Sequence, residues 1–300
     1  MIQRGEQQAT IAARGGALVE YRLLDQAILE PAGPNDDLGA YQGVPLVPWP
    51  NRIRAGRYDF GGRRLKLPLS EAGRGNAIHG LASSVRWRAL EQSPDGLVLG
   101  TKVGAQPGYP FDLAVRLAYE LTESGLRVTI GARNTGRRAL PYGAGQHPYF
   151  AVRAQTIDAA MLSLPADSCL ELDPDGSPGP LRPVAGSDRD FRSGRLIGPT
   201  VLDTAYTGFR RDADGRARIR LDSTTVWLDQ AFGWAMVYTG DGLAGPAGLM
   251  GLPRRRALAI EPMTCPPNAF QSGIDLVVLE PGEEHTANWG IEPESAQLRD

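Results

Sequence analysis

The stretch DLAVRLAYEL (112–121), followed after the turn ESG by GLRVTIGARN (125–134), sets the reading of this chain. Leu113, Val115, Leu117, Tyr119 and Leu121 recur at every second position, with small or charged residues between them. A period of two is that of a strand buried on one face. Leu126, Val128 and Ile130 repeat the pattern, and the turn between the runs has hairpin chemistry. Outward from this pair the same grammar continues in RYDFGG (57–62), VRWRALEQ (85–92), GLVLGTKV (96–103), RARIRLDS (216–223), TTVWLDQ (224–230), WAMVYTG (234–240) and IDLVVLEPGE (274–283). Turn signals such as SPDG, NTG and DADG punctuate them, and no window of about a dozen residues has a capped helical period. Many short strands at regular spacing predict an all-β sandwich or barrel, and such folds run to this length as one domain, so residues 1–300 are expected to form a single domain. Two stretches resist the strand pattern. Prolines interrupt 41–56 too often for a central strand, and 165–190, rich in Pro, Gly and Asp, reads as a long surface loop.

Composition narrows the function. The 300 residues carry 32 basic and 34 acidic side chains, a formal net charge of −2, so no basic field draws nucleic acid or an anionic membrane. No apolar run approaches a membrane span. The first residues, MIQRGEQQATIAARGG, are polar where a secretory leader would be apolar, which points to a cytoplasmic protein. Cys169 and Cys265 are too few for a disulfide framework, and no metal-ligand spacing occurs.

The chain has three histidines. His285, among charged residues, reads as solvated or structural. His79 (NAIHGL) and His147 (GQHPYF) adjoin glycines that permit close approach of another chain or a ligand, with a buried structural role as the equal alternative. Glu261 ends the apolar run LAI before a cluster of prolines, as a buried strand delivering a carboxylate would; a salt-bridged strand end is the alternative. Arg52 is framed by prolines in PWPNRIRAG, which also suits a loop staple.

Together, PWPNRIRAGRYDFGG (48–62) with NAIHGL (76–81), GQHPYF (145–150), LDTAYTGF (202–209) and IEPMTCPPNAFQSG (260–273) resemble, in order, the motifs of the aldose 1-epimerase (mutarotase) family. The resemblance covers roughly residues 15–292. It implies a large twisted antiparallel β-sandwich, the galactose mutarotase-like supersandwich, with a sugar cleft on its concave face. It implies Glu261 as catalytic base and His147 as acid, with Arg52, His79 and Asp203 binding the sugar. WLDQAF offers Asp229 as a second candidate for the aspartate.

These residue types suit anomer exchange. The C1 hydroxyl must lose a proton while the ring oxygen gains one, and a base and an acid on opposite sides of the hemiacetal can do both. Glutamate is ordinarily ionised at neutral pH, and histidine, with a reference pKa of about 6.5, can hold and release a proton there. No cofactor or metal is expected, and the partner is a small sugar; the protein itself is expected to be a monomer or homodimer. Asn268 and Gln271 are candidate secondary contacts, and Trp49, Tyr149 or Phe270 a candidate apolar platform. Arg54, Arg74 or Arg86 would anchor a phosphate or sulfonate if the sugar is anionic. A glycoside hydrolase using two carboxylates and a non-catalytic sugar-binding protein of the same fold are the competing readings.

Overall fold

The computed structural model describes residues 1–31, 41–241 and 254–294. The 113–130 pattern forms the expected hairpin, Leu113–Leu121 against Leu126–Asn134, with Leu117 opposite Ile130 and Tyr119 opposite Val128. Their buried side chains point to one face, and the intervening positions are partly or fully exposed. The hairpin lies within a nine-stranded sheet. Its order is Arg88–Gln92, Gly96–Val103, Leu113–Leu121, Leu126–Asn134, Glu284–Pro293, Thr224–Leu228, Ala217–Leu221, Met161–Ser163 and Arg195–Leu196.

A second sheet of eight strands runs Arg182–Pro183, Ala166–Glu171, Asp203–Phe209, Trp234–Tyr238, Ala257–Met263, Gly145–Gln146 and Pro45–Leu46, with Tyr149–Ala151 also paired to Ala257–Met263. One apolar cluster joins the sheets: Leu117, Val128, Ile130, Trp289 and Ile291 from the first meet Tyr206, Val237, Leu258 and Ile260 from the second. Burying each such aliphatic side chain is worth about 1.5–3 kcal/mol, so the period-two stripes hold the two layers face to face. Every paired strand in both sheets is antiparallel. The one α-helix among the described residues is Ala269–Ser272.

The two stretches without strand character resolve differently. Residues 41–56 supply the edge strand Pro45–Leu46 and the two-residue strand Arg52–Ile53, as prolines at an edge allow. The expected loop at 165–190 needs correction, because Ala166–Glu171 is a strand paired to Asp203–Phe209. Its apolar residues are too few for a periodic signal, and pairing to the sheet overrides that. Residues 173–177 form a turn closed by the Gly176 N–H donating to the Asp173 carbonyl.

Candidate active site

The site lies on the face of the eight-stranded sheet turned away from the inter-sheet core. Along Ala257–Met263, Leu258 and Ile260 enter the core, which turns Ala257, Ala259, Glu261 and Met263 to the other face. Small alanines there leave room in front of the sheet. Register then assembles the cleft. Glu261 pairs with Met236, Ala259 with Tyr238 and Tyr149, and Tyr238 with Asp203. Glu261 and Asp203 thus lie two strands and two residues apart, about 12 Å between Cα positions at standard sheet spacings. The cleft measures about 370 Å³ and is walled by Arg52, His79, His147, Asp203 and Glu261 with Tyr41, Glu71, Arg74, Tyr238 and Asp241. All five sugar-site residues expected from sequence meet here, across a separation from position 52 to 261.

His147 follows Gln146, which turns the other way: its amide donates to the Gly43 carbonyl and Tyr119 hydroxyl and accepts from the Trp289 indole. That anchorage leaves His147 facing the cleft, stacked on Tyr149 at 4.8 Å. Its Nε2 lies 3.2 Å from Glu261 Oε1, and both side chains are buried. Glu261 Oε2 and His147 Nδ1 are buried without a partner among the described residues. The two residues expected to act as acid and base therefore stand side by side, whereas the expectation set them on opposite sides of the hemiacetal. In the anomer exchange that the sequence resemblance implies, both reacting oxygens are bonded to one carbon, which an adjacent pair can reach.

Burial pushes the Glu261 carboxyl well above the usual carboxylate range; the Asp203 charge adds to this and Arg52 opposes it. Burial pulls the His147 imidazole down to about 3. Glu261 is thus not the simply ionised group that its reference pKa suggests. Both shifts act in the same sense, favouring a proton on Glu261 over one on His147 across the 3.2 Å contact.

His79 sits in the left-handed region at φ 59° and is followed by Gly80, where a Cβ would stand 2.1 Å from the Val47 carbonyl oxygen. Only glycine allows this crossing, which explains the signal in NAIHGL. The His79 N–H donates to the Asn51 carbonyl, and the Asn51 N–H donates to His79 Nδ1 at 3.3 Å. Nδ1 is therefore an acceptor, and the neutral ring carries its proton on Nε2. Burial, with His147 and Arg52 nearby, holds its pKa well below the usual histidine range.

His79, His147 and Glu261 bring three ligand atoms within 4.8 Å of one another, the donor set of a cation site. The tautomer does not fit. An Nε2 bearing the proton has no lone pair for a metal, and moving it to Nδ1 would set two donors against each other at Asn51.

Arg52 donates from Nε and Nη2 to Glu71 at 2.8 and 2.9 Å, a bidentate pair. Burial works to raise Glu71, but Arg52 outweighs it and leaves the carboxyl lowered. Gly176 closes on this pair, since a Cβ there would lie 2.4 Å from Arg52 Cδ. The turn at 173–177 thus leans on Arg52. Asp203 heads its strand, and burial raises its pKa against the pull of Arg52 and Arg74.

Asp229 is excluded from the cleft. Its carboxylate accepts from the backbone and side-chain amides of Asn288 at 2.7 and 2.9 Å and from the Ala231 N–H, tying strands of the other sheet. Asn268 and Gln271 likewise staple the 54–57 backbone. Trp49 and Phe270 pack edge to face outside the cleft, so of the three aromatic candidates only Tyr149 lines it. Of the three arginines, Arg74 lines the cleft, Arg54 approaches Asp175 at 3.7 Å, and Arg86 is on the nine-stranded sheet's outer side. His285 is half-buried on Glu284–Pro293, as a structural residue would be. Sequence reasoning missed Tyr41, Asn51, Glu71, Tyr238 and Asp241. Asn51 beside Arg52 carried a faint signal; Glu71, in a polar segment, carried none.

Residues 1–292 match the family described as Aldose 1-epimerase. The uncharacterised protein YihR of Escherichia coli (strain K12) is 34% identical over 297 residues, covering 97% of this chain and 91% of that protein. Galactose mutarotase of Mus musculus is 26% identical, over 82% and 76% of the two chains. Among solved structures, an aldose epimerase homologue from C. elegans superposes with a TM-score of 0.86 at 19% identity, covering 97% of each chain. Galactose 1-epimerase from Lactobacillus acidophilus superposes with a TM-score of 0.80 at 19% identity, over 97% and 92%.

Proposed function

The chain belongs to the aldose 1-epimerase family, and we propose that it interconverts the α and β anomers of a hexose, acting as one domain over residues 1–300. The observation that carries this reading is the buried Glu261–His147 contact with Glu261 Oε2 unpartnered, set against a wall of hydroxyl-binding groups.

The neutral form of the pair, protonated Glu261 beside neutral His147, has the same proton count as carboxylate beside imidazolium. Proton transfer across the contact produces the reactive form without exchange with solvent. Glu261 then takes the proton of the C1 hydroxyl, His147 gives its proton to the ring oxygen, and the C1–ring oxygen bond opens to the aldehyde. Rotation about C1–C2 presents the other face, and the reverse transfers close the ring. A carboxylate of raised proton affinity is a stronger base and an imidazolium of lowered affinity a stronger acid, so burial favours both steps. Asp203 accepts from ring hydroxyls. Arg52, held by Glu71, donates from Nη1, and His79 donates from Nε2.

Polarimetry of freshly dissolved α-D-glucose and α-D-galactose tests the proposal. Faster decay with protein than without supports it. A binding-only protein would retain the sugar and leave the decay unchanged, and a glycosidase would instead release a free sugar from an aryl glycoside.

A further inference from the structure

We propose that Asp241, held by Arg255 and Thr239, is a second hydroxyl-binding carboxylate that reads the sugar at the end remote from C1. The inference rests on the anomer-exchange reading above for which end of the ring faces Glu261.

The strand Trp234–Tyr238 sets the order of groups along the cleft. Met236 lies beside Glu261, Tyr238 beside Asp203, and the chain continues three residues to Asp241, which also lines the cleft. The strand ends at Tyr238; Thr239 pairs with Leu202, one row past Asp203 as seen from Glu261, and the chain bends at Gly240 (φ 76°) to set Asp241 against the Thr239 hydroxyl. One of its oxygens is committed. Oδ2 accepts from the Thr239 hydroxyl at 2.5 Å and from Arg255 Nη1 at 2.8 Å. Among the described residues, Oδ1 has only the exposed Arg254 guanidinium, at 3.8 Å. A carboxylate fixed by one oxygen, lining the cleft and with no hydrogen-bond donor on the other among the described residues, is placed to accept from a hydroxyl.

The anchor is well built. Arg255 also donates to Asp158 at 2.6 Å and to the carbonyls of Gly198 and Thr200 at 2.8 and 3.3 Å. Thr239 joins Leu202 twice, its N–H donating to the Leu202 carbonyl and its hydroxyl accepting from the Leu202 N–H at 2.9 Å. One network therefore ties Asp241 to the segment that delivers Asp203. The two carboxylates form one rigid wall, and their spacing selects a sugar long enough to reach both.

Calorimetry with the Glu261→Gln variant as background measures binding without turnover. The sugars are D-galactose and D-glucose, compared with D-fucose and D-xylose, which lack the C6 hydroxyl or C6 itself. A hydrogen bond to a charged acceptor is worth about tenfold or more in affinity, so the full hexoses should bind that much tighter. Adding Asp241→Ala should erase the preference while D-xylose binding stays within about threefold. Asp241→Asn, which keeps the shape, should reduce it, and Arg255→Lys should raise Kd for hexoses more than for D-xylose. In the otherwise native enzyme, Asp241→Asn should raise KM and leave kcat within about threefold. Equal Kd values for all four sugars before and after Asp241→Ala overturn the proposal, as does failure of all four to bind. A preference that Asp241→Ala erases, in a protein that does not speed anomer exchange, would sustain the role of Asp241 while refuting the epimerase reading.

Discussion

Replacing Glu261 with glutamine should lower activity and raise stability together. The amide keeps the shape of the carboxylate and its contact with His147, so sugar binding should survive with KM within about threefold. It cannot accept the C1 hydroxyl proton. General base assistance contributes about 10²–10⁴-fold, so kcat should fall by at least a hundredfold. Stability moves the other way because the native carboxyl is costly where it sits. It is 2% exposed, Oε2 has no partner among the described residues, and Asp203 disfavours its charge. A neutral amide removes the electrostatic part of that cost. The amide is itself buried, so only the charge-dependent part is relieved, about 1–3 kcal/mol on the scale of an unsatisfied buried group, and at about 2 °C per kcal/mol for a chain of this size Tm should rise by about 2–6 °C. Polarimetric turnover and thermal unfolding, run on one preparation, measure both. Near-normal kcat would refute Glu261 as the base. A fall in Tm parallel to the loss of activity would show a structural carboxylate instead.

His147→Asn should also cost at least about a hundredfold in kcat, and kcat/KM of the native enzyme should show no limb near pH 6.5. Because Glu261 is raised and His147 lowered to about 3, the active one-proton pair persists across the mildly acidic range and is lost only as pH rises past the upper step; a rise in activity centred on 6.5 would contradict this. The lowered histidine loses folding stability as pH drops from about 6.5 towards about 3 while the raised Glu261 gains it, so the two oppose each other in the native protein and His147→Asn should make stability rise towards acid pH in chemical denaturation relative to the native chain. Glu71→Gln should raise KM about tenfold with little change in kcat, since it frees Arg52 without touching the proton-moving pair. Asp203→Asn should weaken sugar binding and spare Tm, whereas Asp229→Asn should lower Tm and spare KM, because only Asp229 is saturated by backbone amides. Gly80→Ala should destabilise by several kcal/mol in denaturant unfolding, because its Cβ would lie 2.1 Å from a carbonyl oxygen at φ +73°.

Much of this protein was legible without coordinates. Alternation in 113–130 defined strands and their buried face, because side chains of an extended chain point alternately to opposite sides whatever surrounds them. The motifs around Arg52, His79, His147, Asp203 and Glu261 identified the family and the residues that now meet in the cleft. Local pattern could not reveal that Ala166–Glu171 joins the sheet, since its hydrogen-bond partners lie in Asp203–Phe209. Nor could it choose between Asp203 and Asp229, which share similar strings but face different sheets. Glu71, Asn51 and Asp241 stayed hidden because their meaning is in what they touch: a guanidinium 19 positions away, a ring nitrogen 28 away and an arginine 14 away. Sequence by itself determined the strand periodicity and the chemical inventory, which are properties of neighbours along the chain. What the tertiary structure alone supplied is the pairing of His147 with Glu261 at 3.2 Å and the burial that displaces both from their ordinary ionisation, since both depend on residues far apart along the chain.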